Sequence, residues 1–246
     1  MSPKKFQDGD LVVNFHDACI YGRDLALLES PTEWLNDACL HFALTDLQVS
    51  LDQVTQGDTL LLDPAVVAFL MHQCHDEDDF GDFCRGCREF KGIYRLVIPV
   101  NDTLTSSNWA VPGKGTHWSL LVIERGGGEN SNIFGYHFDS VATSGNLRVA
   151  QAVADKVVLA SKGAFASYAP SVRLCRTPLQ RNSYDCGVHV IAVAKAVVSL
   201  EVSRSTDSPE DYESTLTDLI NAHDEPCLVI RSKLATRIRQ LASQAK

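Results

Sequence analysis

Apolar and polar residues along this chain fall into blocks of changing period, and each block predicts an element. Residues 33–48 carry apolar side chains at helical spacing behind Ser30-Pro31-Thr32-Glu33, which has the make-up of a capped first turn, so a helix is expected there. Asp63-Pro64 opens a second, short helix through Met71, and the acidic run 75–82 reads as a surface loop. The pattern then turns β-branched and apolar. Strands are expected over 93–100, which ends near the turn-prone Asn101-Asp102, over 117–124 and over 133–138, with Gly126-Gly127-Gly128 between the last two. A helix follows over 147–160 with Leu147, Ala150, Ala154 and Val157 on one face, then a strand over 172–175 and a helix over 186–200. Residues 203–208 read as polar loop, and two helices close the chain. No repeat and no long linker divides it. The expectation is an α+β fold, a central mixed sheet flanked by helices, in a single domain over 11–246 behind a tail over 1–10.

Composition narrows the class. At 246 residues and 45% hydrophobic content the chain can bury a sizeable core. The longest apolar run, 188–200, is broken by His189 and Lys195 and falls short of the roughly 18 to 20 residues that span a bilayer. The start turns acidic before any apolar stretch forms, so no secretory signal is expected. With 22 basic against 31 acidic residues, net −9, the field repels nucleic acid and anionic membrane surfaces. The eight cysteines are scattered through a chain too large to need disulfide staples, which suggests reduced thiols in a cytoplasmic or nuclear setting.

Two regions carry chemistry. Residues facing each other across a hairpin have numbers that sum to a constant, and His117 and Asp139 share a midpoint at 128, inside the triple glycine. A simple hairpin therefore brings an imidazole and a carboxylate to the same open end of the sheet, where the carboxylate fixes the tautomer and supports the imidazolium. In Gln180-Arg-Asn-Ser-Tyr-Asp-Cys186-Gly187, turn-forming residues run straight into an apolar helix. Cys186 is expected at the helix N-terminus, where unpaired N–H groups and the helix dipole favour a thiolate, with Gly187 leaving room for a substrate. Gln180, Asn182 and the Cys186 backbone N–H are all candidate donors to an oxyanion.

Trp34-Leu-Asn-Asp37, Gly115-Thr-His117-Trp118-Ser-Leu-Leu-Val, Tyr136-His-Phe-Asp139-Ser and the Cys186 segment occur in that order, and together they resemble the ubiquitin-like-protein-specific (Ulp/sentrin) cysteine proteases, most nearly the deneddylase branch. The resemblance runs from about Leu11 to the final helix. It implies a thiol isopeptidase that cleaves after the Gly-Gly of a Nedd-type (Rub) modifier, in precursors or conjugates, as a monomer with no metal or organic cofactor. It further implies that Cys186 is the nucleophile, His117 the base and then the acid, Asp139 its orienting partner and Gln180 the oxyanion donor. Trp34 and Trp118 would enclose a narrow tunnel for the glycines, and Asp37 would contact the modifier tail. The same chemistry on SUMO or ubiquitin is the alternative, and a silent module that binds a ubiquitin-like fold is a third.

Other residues compete for roles. The hairpin is expected to be longer than the deneddylase branch implies, with Arg125 to Asn130 as the extra turn, and the loop 101–114 is expected over the substrate channel. Cys84-Arg-Gly-Cys87 with His72, Cys74 and His75 has partial zinc spacing, set against the plainer reading of an acidic loop with unpaired thiols. Asp185 competes with Asp139 as the histidine's partner but would place negative charge beside the sulfur. His137, Ser119 and His189 are expected to pack rather than react.

Overall fold

The computed structural model describes residues 4–53, 57–107, 111, 115–126, 133–141, 145–200, 209–222 and 225–244, with the side chains of 209–212 left aside. Strands β1 (Leu11–Phe15) and β2 (Ala18–Tyr21) form an antiparallel hairpin and lead into helices α1 (Gly22–Glu29) and α2 (Asp37–Asp52). Strand β3 (Thr59–Leu61), helices α3 (Pro64–His72) and α4 (Glu77–Gly86) and strand β4 (Arg95–Asn101) follow. Next come β5 (Trp118–Arg125), β6 (Ile133–Phe138), α5 (Asn146–Ser161), β7 (Val172–Cys175), α6 (Cys186–Ser199), α7 (Pro209–Ala222) and α8 (Cys227–Gln244). Strands β3 to β7 form one mixed sheet in chain order, parallel at its two outer pairs and antiparallel in the middle.

The sheet is buried on both faces, which is why β4 and β5 are nearly unbroken apolar runs instead of alternating ones. Val97, Leu120, Val122, Tyr136 and Phe138 face a core built with α1, α2, α6 and α8. Leu96, Ile98, Leu121, Ile123 and Ile133 face a second core with α3, α4 and α5. The α+β class and central mixed sheet expected from the pattern are present, and β6 and β7 begin and end where their residues predict. No helix among the described residues is long and apolar enough to cross a membrane.

Three local expectations differ. The helix expected from residue 33 starts at Asp37, because Asn36 is its cap: the Asn36 side chain accepts from the Cys39 N–H at 3.0 Å and donates to buried Asp24 at 2.7 Å. Residues 33–35 are thereby left outside the helix. The acidic run 75–82 is mostly helix. Asp76 caps α4 by accepting from Asp78 and Asp79, while Glu77, Asp78 and Asp79 lie at the positive end of the helix dipole. The N-terminal hairpin was not expected, since its tight turn is made by His16 and Asp17 in left-handed conformation with no glycine. Ahead of it, residues 7–10 lie directly on Gly22, where an added Cβ would meet the Gln7 carbonyl oxygen at 1.9 Å. The polar loop expected over 203–208 lies outside the described residues.

Asn36→Ala removes both the α2 cap and a donor to a buried carboxylate. It should cost about 1–3 kcal/mol in urea unfolding, and a loss within error of zero would show that other groups hold this corner.

Candidate active site

The site is assembled at one end of the sheet from four separate stretches of chain. His117 immediately precedes β5 and Asp139 immediately follows β6. The register pairs Leu120 with Phe138 and Leu121 with His137, a constant sum of 258, so residue 139 stands opposite 119 and is diagonal to 117. The simple-hairpin count was therefore off by two, but parity survives. His117 and Asp139 lie just beyond the strand ends, where a diagonal neighbour is within side-chain reach, while Ser119 and His137 share the face toward α5. His117 Nε2 and Asp139 Oδ1 are 2.6 Å apart. Asp139 is almost fully buried and its Oδ1 also accepts from the Val141 N–H at 2.8 Å, which holds the carboxylate in place.

Helix α6 begins at Cys186, so the sulfur is at the N-terminal turn, and it is only 2% exposed. Cys186 is close enough to His117 to act on its charge, alongside Asp139. Burial pulls the imidazole pKa down, but the hydrogen bonds and negative charge of Asp139 and Cys186 outweigh it and raise it from 6.5 to about 9. The backbone under His117 is clamped too: Asp102 accepts from the N–H groups of Thr116 and His117 and donates its own N–H to the His117 carbonyl. The pattern marked Asp102 only as a turn residue.

The nearby histidine is different in kind. His137 is fully buried, its Nε2 lies 2.9 Å from Ser119 Oγ, and that hydroxyl also accepts from Asn146. Burial lowers the His137 pKa to about 4, against the opposing pull of Asp139. It stays neutral and packed.

Asp185 is the cap residue before Cys186, and its carboxylate is engaged by groups other than the histidine. Oδ2 accepts from Asn182 at 2.8 Å, and Oδ1 accepts from Arg231 Nη2 at 2.9 Å and Nε at 3.2 Å. Arg231 reaches in from α8, 2% exposed, and donates also to the carbonyls of Leu27, Ser30, Glu33 and Tyr184. Nothing in the local pattern around Arg231 announces this role.

Asn182, a candidate oxyanion donor on sequence, is occupied by its own turn. Its amide donates to Asp185 and its oxygen accepts from the N–H groups of Tyr184 and Asp185. Gln180 is half-buried, with Oε1 accepting from Ser140 at 2.7 Å and Nε2 donating to the Asn182 carbonyl at 2.6 Å.

Trp34 is 41% exposed on the segment before α2, and Trp118 donates its indole N–H to the Leu35 carbonyl at 3.2 Å. The two indoles thus belong to one connected stretch beside Cys186. Gly187 was expected to leave space for substrate, but an added Cβ would stand 3.1 Å from the Leu35 Cβ. The glycine lets the Trp34-Leu35 segment approach the cysteine helix. Asp37 is exposed in the first turn of α2.

The zinc spacing resolves differently. Cys84 donates to the Ala160 carbonyl, Cys74 to the Asp79 carbonyl, and Cys87 is fully buried in the second core with its pKa raised by burial to about 12. Among the described residues no grouping of His, Cys, Asp and Glu is arranged to hold a metal ion. Most of the expected hairpin extension and part of the 101–114 loop lie outside the described residues.

Over residues 33–220 the chain matches the Ulp1 protease family, C-terminal catalytic domain. It is 30% identical over 232 residues to NEDD8-specific protease 1 of Arabidopsis thaliana, covering 92% of this chain and 95% of that protein. It is 28% identical over 200 residues to sentrin-specific protease 8 of Homo sapiens, covering 80% and 86%. The solved Ulp1 protease domain in complex with Smt3, the yeast ortholog of SUMO, superposes with a TM-score of 0.64 at 17% identity over 96% of this chain and 90% of that one. That last likeness is one of fold.

The raised pKa of His117 has a definite sign. The interaction stabilises the folded chain fully below about pH 6.5 and fades as pH climbs through about 9. Asp139→Asn should lower the His117 midpoint followed by imidazole NMR and flatten that part of the stability profile. An unmoved midpoint would mean that the carboxylate does not hold the proton.

Proposed function

Because the chain belongs to the Ulp1 protease family, and so is a cysteine protease acting on ubiquitin-like modifiers, we propose that it cleaves after the C-terminal Gly-Gly of a Nedd-type modifier. The observation that carries the chemistry is the convergence of Cys186, His117 and Asp139, with the imidazole 2.6 Å from the carboxylate and the sulfur near enough to help raise its pKa. The Nedd-type reading is supported by the names of the relatives that align along most of their length, NEDD8-specific protease 1 above all.

In this reading the Cys186 sulfur attacks the carbonyl carbon of the terminal glycine as a thiolate, its proton already held by His117. The tetrahedral oxyanion is met by a Gln180 Nε2–H and the Cys186 backbone N–H. Collapse breaks the C–N bond, and His117 delivers its proton to the departing lysine or peptide amine. The thioester left on Cys186 is hydrolysed by a water that His117 deprotonates, which releases the modifier carboxylate and restores the thiolate beside the protonated imidazole. Asp139 remains ionised throughout and supports the imidazolium. Trp34 and Trp118 flank the approach of the tail, where flat indoles admit glycine more readily than residues with side chains. Asp37, exposed at the α2 N-terminus, is suited to a basic group in the tail.

The test compares kcat/KM for aminocoumarin conjugates of Nedd-type modifier, SUMO and ubiquitin. We expect the Nedd-type conjugate to lead by at least about 100-fold, the equivalent of two lost tenfold contacts. We also expect Cys186→Ala to bind the modifier with unchanged affinity and turn none over. A lead for SUMO or ubiquitin would keep the chemistry and overturn the modifier, whereas turnover by Cys186→Ala would overturn the nucleophile.

A further inference from the structure

The two residues after β6 serve two partners at once. Asp139 holds His117, while buried Ser140 holds Gln180 through both backbone and side chain. The Gln180 N–H donates to the Ser140 carbonyl at 3.0 Å, and the Ser140 hydroxyl donates to Gln180 Oε1 at 2.7 Å. Gln180 Nε2 spends one proton on the Asn182 carbonyl at 2.6 Å. A primary amide has two N–H donors, so one remains for a ligand. Turning the amide over would set Oε1 against the Asn182 carbonyl, acceptor against acceptor, and reverse the direction of the Ser140 hydrogen bond. Donation onto Oε1 also polarises the amide and strengthens its other N–H.

We infer that Ser140 is a positioning residue for the hydrolytic reaction, its hydroxyl holding the Gln180 amide so that the second Nε2–H is presented to the oxyanion. The inference rests on the reading of Gln180 as oxyanion donor. It differs from a merely structural role for a buried serine in one respect: the contribution appears only when negative charge develops on the substrate oxygen, and only through Gln180.

The experiment uses whichever modifier–aminocoumarin conjugate the full chain hydrolyses fastest, with Ser140→Ala, Gln180→Ala and the double variant. Thermal unfolding confirms that each is folded. Ser140→Ala should lower kcat about tenfold, the worth of one good neutral hydrogen bond, and leave KM unchanged. On the Gln180→Ala background the same change should cost less than about twofold, since its partner is gone. In parallel, Ser140→Ala should weaken inhibition by the modifier C-terminal aldehyde, whose cysteine adduct places an oxygen at the oxyanion position, without weakening binding of the free modifier acid. Equal losses on both backgrounds, a loss confined to KM, or unchanged aldehyde inhibition would each overturn the positioning role. A wild-type kcat in Gln180→Ala would instead remove the oxyanion reading and this inference with it.

Discussion

One buried guanidinium holds the site together. Arg231 comes from the last helix, close to 200 residues in sequence from the segment it grips, and donates to Asp185 and to four backbone carbonyls at distances of 2.7 to 3.4 Å. Burying an arginine costs several kcal/mol in desolvation unless its N–H groups are satisfied, and the planar fork is shaped to satisfy many acceptors at once. Through it the Trp34 segment and the Cys186 turn are attached to the same point. The Glu33 carbonyl is held by Arg231, the Leu35 carbonyl by Trp118, and the Leu35 side chain rests on Gly187. Trp34 stays exposed between two anchored neighbours, so a large apolar ring is offered to solvent on a fixed backbone.

The same ion pair shapes the electrostatics around the sulfur. Asp185 precedes Cys186, and a free carboxylate there would oppose negative charge on the thiol. Arg231 and Asn182 engage that carboxylate in the interior and Arg231 matches its charge. His117 meanwhile receives both of the negative partners that favour its proton, and His137 is kept neutral by burial two residues from Asp139. Two neighbouring imidazoles are thus given opposite states by their surroundings.

Much of this was legible in the chain where local chemistry decides. β6 and β7 were readable to the residue, as was the start of α6 at Cys186, because β-branched runs and turn residues mark them. His117 and Asp139 could be brought together from hairpin parity alone, although the register sum differs by two. The illegible parts depend on partners distant in sequence or on backbone states that residue type does not advertise. Asn36 caps α2 partly because Asp24 receives its amide, which moved the helix start four residues from the apolar pattern. The His16-Asp17 turn adopts a left-handed conformation without glycine. Arg231, Asp102 and Ser140 are ordinary polar residues by pattern, and only the fold shows what they hold.

The central claim is that one of eight cysteines, Cys186, is the group that reacts with a modifier's Gly-Gly end. It is tested most directly by treating the purified chain with a Nedd-type modifier carrying a C-terminal propargylamide and mapping the adduct by peptide mass spectrometry. The account predicts a single stoichiometric vinyl thioether on Cys186 and loss of labelling in His117→Ala. An adduct on any of the other seven cysteines, or equal labelling of Cys186 without His117, would contradict it.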